Sequence, residues 1–142
     1  MRDLRKLDLA AAQRLIKLGI KQAEAMHSPS NIAVVDATGT LLAHKRMSDA
    51  QVLNMEQSIL KAKASVKYKR PTIDLHQEKG SVAVFDDLKV ALSSRDGIVA
   101  GGMPILNGDL LLGAIGISGG SAYQDQHVAQ AIIDAFLRGL VS

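Results

Sequence analysis

A chain of 142 residues, 47% hydrophobic and 22% charged, has the length of one domain and enough apolar material to fill a single core, so one domain spanning 1–142 is expected. It contains no cysteine, which excludes disulfides, thiolate metal sites and cysteine nucleophiles, and with them zinc-ribbon and papain-like functions. The net charge of +3 raises nucleic-acid binding, but with 3% aromatic residues and no Trp the stacking platforms of single-strand binders are missing, and no nucleic-acid partner is expected.

The first segment, "MRDLRKLDLAAAQRL", places charges where a secretory leader needs an apolar run. No window approaches the roughly 18 unbroken apolar residues of a membrane span. A cytoplasmic protein without a membrane partner is the expectation. From Asp8 to Met26, residues Ala12, Leu15, Ile16, Gly19, Ala23 and Met26 recur at spacings of three and four, which predicts an amphipathic helix with Asp8 as N-cap and "HSPSN" as its stop. "NIAVVDATGTLLAHKRM" holds two apolar runs around Asp36-Ala37-Thr38-Gly39 and reads as a hairpin. A second helix, expected to be the longest, runs from Ala50 to Tyr68 on Val52, Met55, Ile59, Ala62 and Val66, and Pro71 stops it. The cations Lys61, Lys63, Lys67, Lys69 and Arg70 gather here, largely off that stripe, and read as a solvated face.

"PTIDLHQEKG" is compatible with one short helical turn, while "SVAVFDDLKVALSS" is ambiguous between strand and helix. Eight of the twelve glycines then fall between Gly97 and Gly120, separating "IVAGGMPIL", a turn at Asn107-Gly108, and "LLLGAIGIS", which predicts a second hairpin. Glycines inside strands mark places where another backbone or a ligand comes close, so either a helix packed on the sheet or a bound flat molecule explains them. A last helix opens with Ser121 and Gln124 spaced as a capping box, with Asp125 in its first turn near the positive end of the dipole, and continues through Val128, Ala129, Ile132, Ala135 and Phe136. The order of elements argues for an α+β fold, helices packed on a mostly antiparallel sheet, with no internal repeat.

No pair among His27, His44, His76 and His127 has a metal-binding H-x-x-x-H or H-x-x-E spacing, although a single histidine suffices as an axial haem ligand. Gly116-Ile117-Ser118-Gly119-Gly120 completes the formal G-x-S-x-G pattern, yet His127 and Asp134 follow it in reversed order and on one helix, which argues against a serine hydrolase. Asp86-Asp87 reads as a solvated turn. No phosphate-cradling glycine pattern is present.

Taken together, Val35-Asp36 with Gly39, Arg46-Met47, Lys61-Ala62, Arg70-Pro71-Thr72, Gly101-Gly102 with Pro104, Gly113-Ala114-Ile115-Gly116 with Ser118-Gly119, and Gln124-Asp125 resemble the GlcG/HbpS family, which includes the C-terminal domain of PduO-type proteins. The resemblance covers about Leu9 to Leu137. It departs from the family where Thr40 replaces a histidine, where Ser48-Asp49 replaces Asp-Gly, and over most of His76 to Asp96. It implies a profilin-like domain forming homo-oligomers, dimers building to tetramers or octamers. It also implies haem binding in some members, and operons for glycolate use or cobalamin-dependent diol and glycerol metabolism in others.

Three function classes stay open. The first is a binding module for a small molecule, haem first and a corrinoid second, at a cofactor site drawn from His44, Arg46, Lys61, Gly101, Gly102 and Asp125. Arg46 or Lys61 would meet propionate-like carboxylates, the glycine face would admit a flat ring, and His44 or His27 would be the axial haem ligand. The second is a cofactor-free accessory oligomer; the third is an enzyme on a small oxygenated metabolite, for which no acid–base pair can be named, so no catalytic residue is assigned.

Overall fold

A computed structural model of the chain describes residues 4–77 and 100–141. Asp86-Asp87, Gly80, Gly97 and the ambiguous run from Ser81 lie outside the described residues. Helix α1 spans Leu9–Ala25, and Asp8 caps it as expected, its carboxylate accepting from the Ala11 amide at 2.8 Å. The chain leaves α1 through a left-handed residue, His27 at φ 53°, with the Ser28 amide donating to the Ala23 carbonyl at 2.9 Å and the His27 amide to that of Glu24 at 3.1 Å. This is a Schellman stop, built with histidine at the position that usually belongs to glycine.

Strands β1 (Asn31–Asp36) and β2 (Leu41–Arg46) form the predicted hairpin. Its turn is held by the Asp36 carboxylate, which accepts from the Thr38 hydroxyl and from the Thr38 and Thr40 amides; these bonds, the Thr38 hydroxyl first, hold the carboxyl below the usual range. A 3-10 turn at Val52–Asn54 leads into α2 (Met55–Tyr68), so this helix starts later than Ala50. Across this approach to the helix the carbonyls of Ala50, Gln51 and Asn54 accept from the side chains of Arg46, Asn31 and Ser118, which tie the segment to the ends of three strands. Lys69, left-handed at φ 55°, ends α2 just before Pro71. The short helical turn appears as α3 (Thr72–Gln77).

Strands β3 (Gly102–Asn107) and β4 (Leu110–Ser118) form the second hairpin, with Gly108 left-handed in its turn. Helix α4 (Ala122–Val141) follows, opened by the predicted capping box: the Gln124 amide donates to Ser121 Oγ at 3.2 Å and the Ser121 amide to Gln124 Oε1 at 2.9 Å. At 20 residues α4, and not the 14-residue α2, is the longest described helix.

The four strands pair antiparallel in the order β2-β1-β4-β3, giving the expected α+β architecture in three layers. One sheet face carries Ile32, Val34, Ile105, Leu112, Ile115 and Ile117 and packs on Leu15 of α1 and on Val128, Ile132 and Phe136 of α4. The other carries Ala33, Val35 and Ala114 and receives Ala62 and Val66 of α2. Small residues on this second face let α2 sit at backbone distance: a Cβ at Gly116 would land on the Ser58 carbonyl and, at 2.8 Å, on the Ala62 amide. Helix packing is therefore what the Gly102 and Gly116 positions serve. Among the described residues no helix is long and apolar enough to cross a membrane.

Candidate functional site

His27 and Arg46 meet at one opening. A cleft of about 630 Å³ lies where the end of α1 faces the end of β2, with Ile20, Ala23 and Pro29 as its apolar wall and His27, Lys45, Arg46 and Met47 among its polar lining; Glu24 and Asp49 stand at it too. Its volume is in the range of ordinary small-molecule sites. His27 is placed there by the left-handed stop of α1, a conformation that costs a side chain-bearing residue roughly 1 kcal/mol relative to glycine. Arg46 lines the cleft and donates from Nη1 to the Ala50 carbonyl at 3.0 Å, which leaves its other donors without a partner among the described residues. Met47 Sδ accepts from the Ser30 amide at 3.4 Å. Imidazole and thioether are the side chains that take axial positions on haem iron, and paired cations suit carboxylates. The donor set fits a carboxylate-bearing tetrapyrrole.

Four other expected residues, Lys61, Gly101, Gly102 and Asp125, come together elsewhere, between α2, the end of β4 and the start of α4. Lys61, expected off the buried stripe, is 6% exposed, and Asp125 is 4% exposed. The Lys61 ammonium donates to the Ile117 carbonyl at 2.9 Å and to Asp125 Oδ2 at 3.3 Å, while Asp125 Oδ1 accepts from the Gly120 amide at 2.9 Å. Burial pushes the Asp125 carboxyl up to about 6 in spite of the nearby cation, and burial pushes the Lys61 ammonium down. The Gly102 amide donates to Thr72 Oγ1 at 3.0 Å, and a Cβ there would meet the Lys61 carbonyl at 2.5 Å. Gly101 is left-handed at φ 113°, with the Ile117 carbonyl where its Cβ would be. At both glycines the nearest atom to an added Cβ is a backbone carbonyl, with the Thr72 and Ser65 side chains beside Gly102 and that of Asp125 beside Gly101.

His44 stands opposite Ala33 in the register and lines, with Ala43, Lys45 and residues of α1, a separate cleft of about 610 Å³ that does not include His27. It is half-buried, its Nε2 has no hydrogen-bond partner, and burial lowers its pKa so that the neutral ring is favoured. Ser118, of the formal G-x-S-x-G, is buried and its hydroxyl donates to the Asn54 carbonyl, which commits it to holding the turn before α2. Among the described residues no group of three or more histidines and carboxylates is arranged to hold a metal ion. Lys45 and Met47 line the cleft beside Arg46, and the sequence singles out neither as a ligand contact. Their signal was the run "HKRM", where apolar alternation breaks at a strand end.

The family described as "Haem degrading protein HbpS-like" matches residues 7–134. The corrinoid adenosyltransferase PduO of Citrobacter freundii is 32% identical over 129 residues, 91% of this chain but only 38% of PduO, so the chain spans well under half of that relative. A crystal structure of a PduOC–haem complex superposes with TM-score 0.77 at 30% identity, covering 92% of this chain and 94% of the other. A double mutant of Streptomyces reticuli HbpS gives TM-score 0.76 at 25% identity, covering 95% and 90%. The chain is a member of the HbpS-like family.

Proposed function

We propose that the chain binds a carboxylate-bearing tetrapyrrole, haem in the first place, in the cleft between the end of α1 and the end of β2. The observation that carries this reading is the convergence of His27, Lys45, Arg46 and Met47 on one cleft with an apolar wall. His27 supplies the axial nitrogen, Arg46 and Lys45 the cations for propionates, and Ile20 and Pro29 the surface for the ring. The haem held by the PduOC relative supports the choice of ligand, and the corrinoid chemistry of PduO makes cobalamin the natural competitor.

Titration of the purified protein with hemin tests it: a shifted Soret band saturating at one equivalent is expected, with His27→Ala altering the band. Arg46→Ala should weaken binding by about tenfold or more, the worth of one charge-assisted hydrogen bond. His44, which lies outside the cleft and whose Nε2 has no hydrogen-bond partner among the described residues, is replaced in parallel; loss of the band with His44→Ala and not with His27→Ala would overturn this cleft as the haem site. A spectrum unchanged by hemin and by cobalamin overturns the reading.

Assembly belongs to the same proposal. Val52, Leu53 and Tyr123 are 65%, 79% and 72% exposed, large apolar or aromatic side chains that a second copy would cover. Light scattering should report a dimer or larger species, and a monomer at micromolar concentration would contradict it.

A further inference from the structure

The Lys61–Asp125 contact plays no part in the cleft, yet it joins three elements. The cation comes from α2, its carbonyl acceptor is Ile117 near the end of β4, and the carboxylate is in the first turn of α4 and also accepts from Gly120 in the β4–α4 junction. At 3.3 Å the ammonium–carboxylate bond is longer than the 2.9 Å bond to Ile117, and longer than charge-assisted bonds of good strength, about 2.7–2.9 Å. The ammonium leans on the carbonyl and is only loosely held by the carboxylate.

Among the described residues the surroundings of Asp125 offer it no second charge. From α2 it is faced by Lys61; from β4 and the junction by the neutral Ile117 carbonyl and Gly120 amide; from the start of β3 by Gly101, whose added Cβ would stand 3.1 Å from Asp125 Cβ. Among the described residues the Lys61 ammonium is the charge that acts on it. Desolvation outweighs that one cation, so the carboxyl holds its proton up to about 6 where an exposed one releases it near 3.8. A carboxyl whose affinity for the proton is higher in the folded chain than in the unfolded one is protonated without driving unfolding.

We propose that Lys61 and Asp125 form a proton-operated clasp, in which uptake of one proton by Asp125 releases Lys61 and slackens the hold of α2 on the β4–α4 junction while the chain stays folded. Once protonated, Oδ2 no longer attracts the ammonium, and Lys61 keeps the Ile117 carbonyl alone. Oδ1 becomes a neutral acceptor and its bond from Gly120 weakens. The junction abuts the cleft: a Cβ at Gly119 would meet the Pro29 carbonyl and one at Gly120 would meet Ser28 Oγ, and both Ser28 and Pro29 line it. The clasp stands whatever the cleft binds.

The test is a pH titration of the full, ligand-free chain from 7.5 to 4.5, following the Gly120 amide by NMR with circular dichroism alongside. The expected result is a Gly120 inflection near pH 6 with helical signal intact, and about a tenfold fall in the exchange protection of α2 amides, normalised for intrinsic rates. Asp125→Asn should abolish the inflection. Lys61→Met should move it to higher pH, since the cation that opposes protonation is gone. A flat Gly120 shift in the wild type, an inflection that survives Asp125→Asn, or one that falls or stays in place with Lys61→Met overturns the proposal; should Asp125→Asn fail to fold, the wild-type and Lys61→Met titrations decide.

Discussion

Replacing Lys61 by methionine removes a buried ammonium and leaves a buried carboxylate, and the cost of that change depends on pH in a way the geometry fixes. In the wild type the Asp125 carboxyl sits at about 6, above its unfolded value of 3.8, because burial outweighs the cation. The sign follows: the folded chain binds this proton more tightly, so the contribution of Asp125 to stability is greatest at low pH and fades as pH rises from 3.8 to about 6. Without Lys61 the carboxyl rises further. At pH 5 it is protonated in wild type and variant alike, and the two differ only by packing and the lost Ile117 bond. At pH 8 the variant must either ionise Asp125 unpaired or hold a proton as much as two units beyond the wild-type value, a further cost of up to about 3 kcal/mol at 1.36 kcal/mol per unit. Urea unfolding at pH 5 and pH 8 reads the difference directly, with unchanged m-values as the check on two-state behaviour. A loss that is equal at the two pH values, or larger at pH 5, refutes the buried-pair argument.

Gly116→Ala should cost about 2–3 kcal/mol in urea unfolding, since the new methyl meets backbone of α2 that cannot step aside, whereas Gly39→Ala, with open space around it, should cost only about 1 kcal/mol for its φ of 84°; the reverse ranking would contradict the layer contact. His27→Gly should raise stability by roughly 1 kcal/mol by relieving a left-handed side chain while removing the hemin band, and a variant less stable than wild type would show that the ring is holding structure. For His44, burial favours the neutral ring in the folded chain, so its contribution is present above the unfolded value of 6.5 and is lost as pH falls below it. The stability difference between wild type and His44→Gln should therefore shift against the wild type between pH 6.5 and 5, and an unchanged difference would remove the desolvation argument.

The elements that local chemistry determines were legible in the sequence. Asp8, the Asp36–Gly39 turn, Asn107-Gly108 and the Ser121–Gln124 box each satisfy their own neighbours, and each is found where spacing placed it. Long-range bonds were not legible. Asn31 and Ser118, 20 and 64 residues away from their acceptors, bond the carbonyls of Gln51 and Asn54 on the way into α2, and no local spacing announces either bond. Lys61 was read as a solvated cation because charge dominated its reading, although Ser58, Ala62 and Ser65 around it at spacings of three, one and four mark a face of small residues that permits close packing. Asp125 satisfied a helix-dipole reading and so gave no sign that its side chain turns inward. The glycines were the ambiguous case, since a helix backbone and a flat ligand make the same demand for a missing Cβ.

That ambiguity narrows once the layers are in place. With α1 and α4 closing one face of the sheet and α2 closing the other at backbone distance, the described layers leave a ligand the rims. At the rim where α1 ends and β2 ends, Arg46, Asn31 and Ser118 form a row across β2, β1 and β4, each donating to a carbonyl of the segment that follows β2. That row ties the far side of the cleft to three strands, so Met47 and Arg46 stand on a rigid support. Opposite them the α1 stop carries histidine in a conformation that glycine would adopt at less cost. Strain retained at a cleft, facing cations held on a braced wall, has no return in the packing of α1, whose closing bonds are all made by backbone. Under the proposed function its return is the ligand that the imidazole would meet inside the cleft.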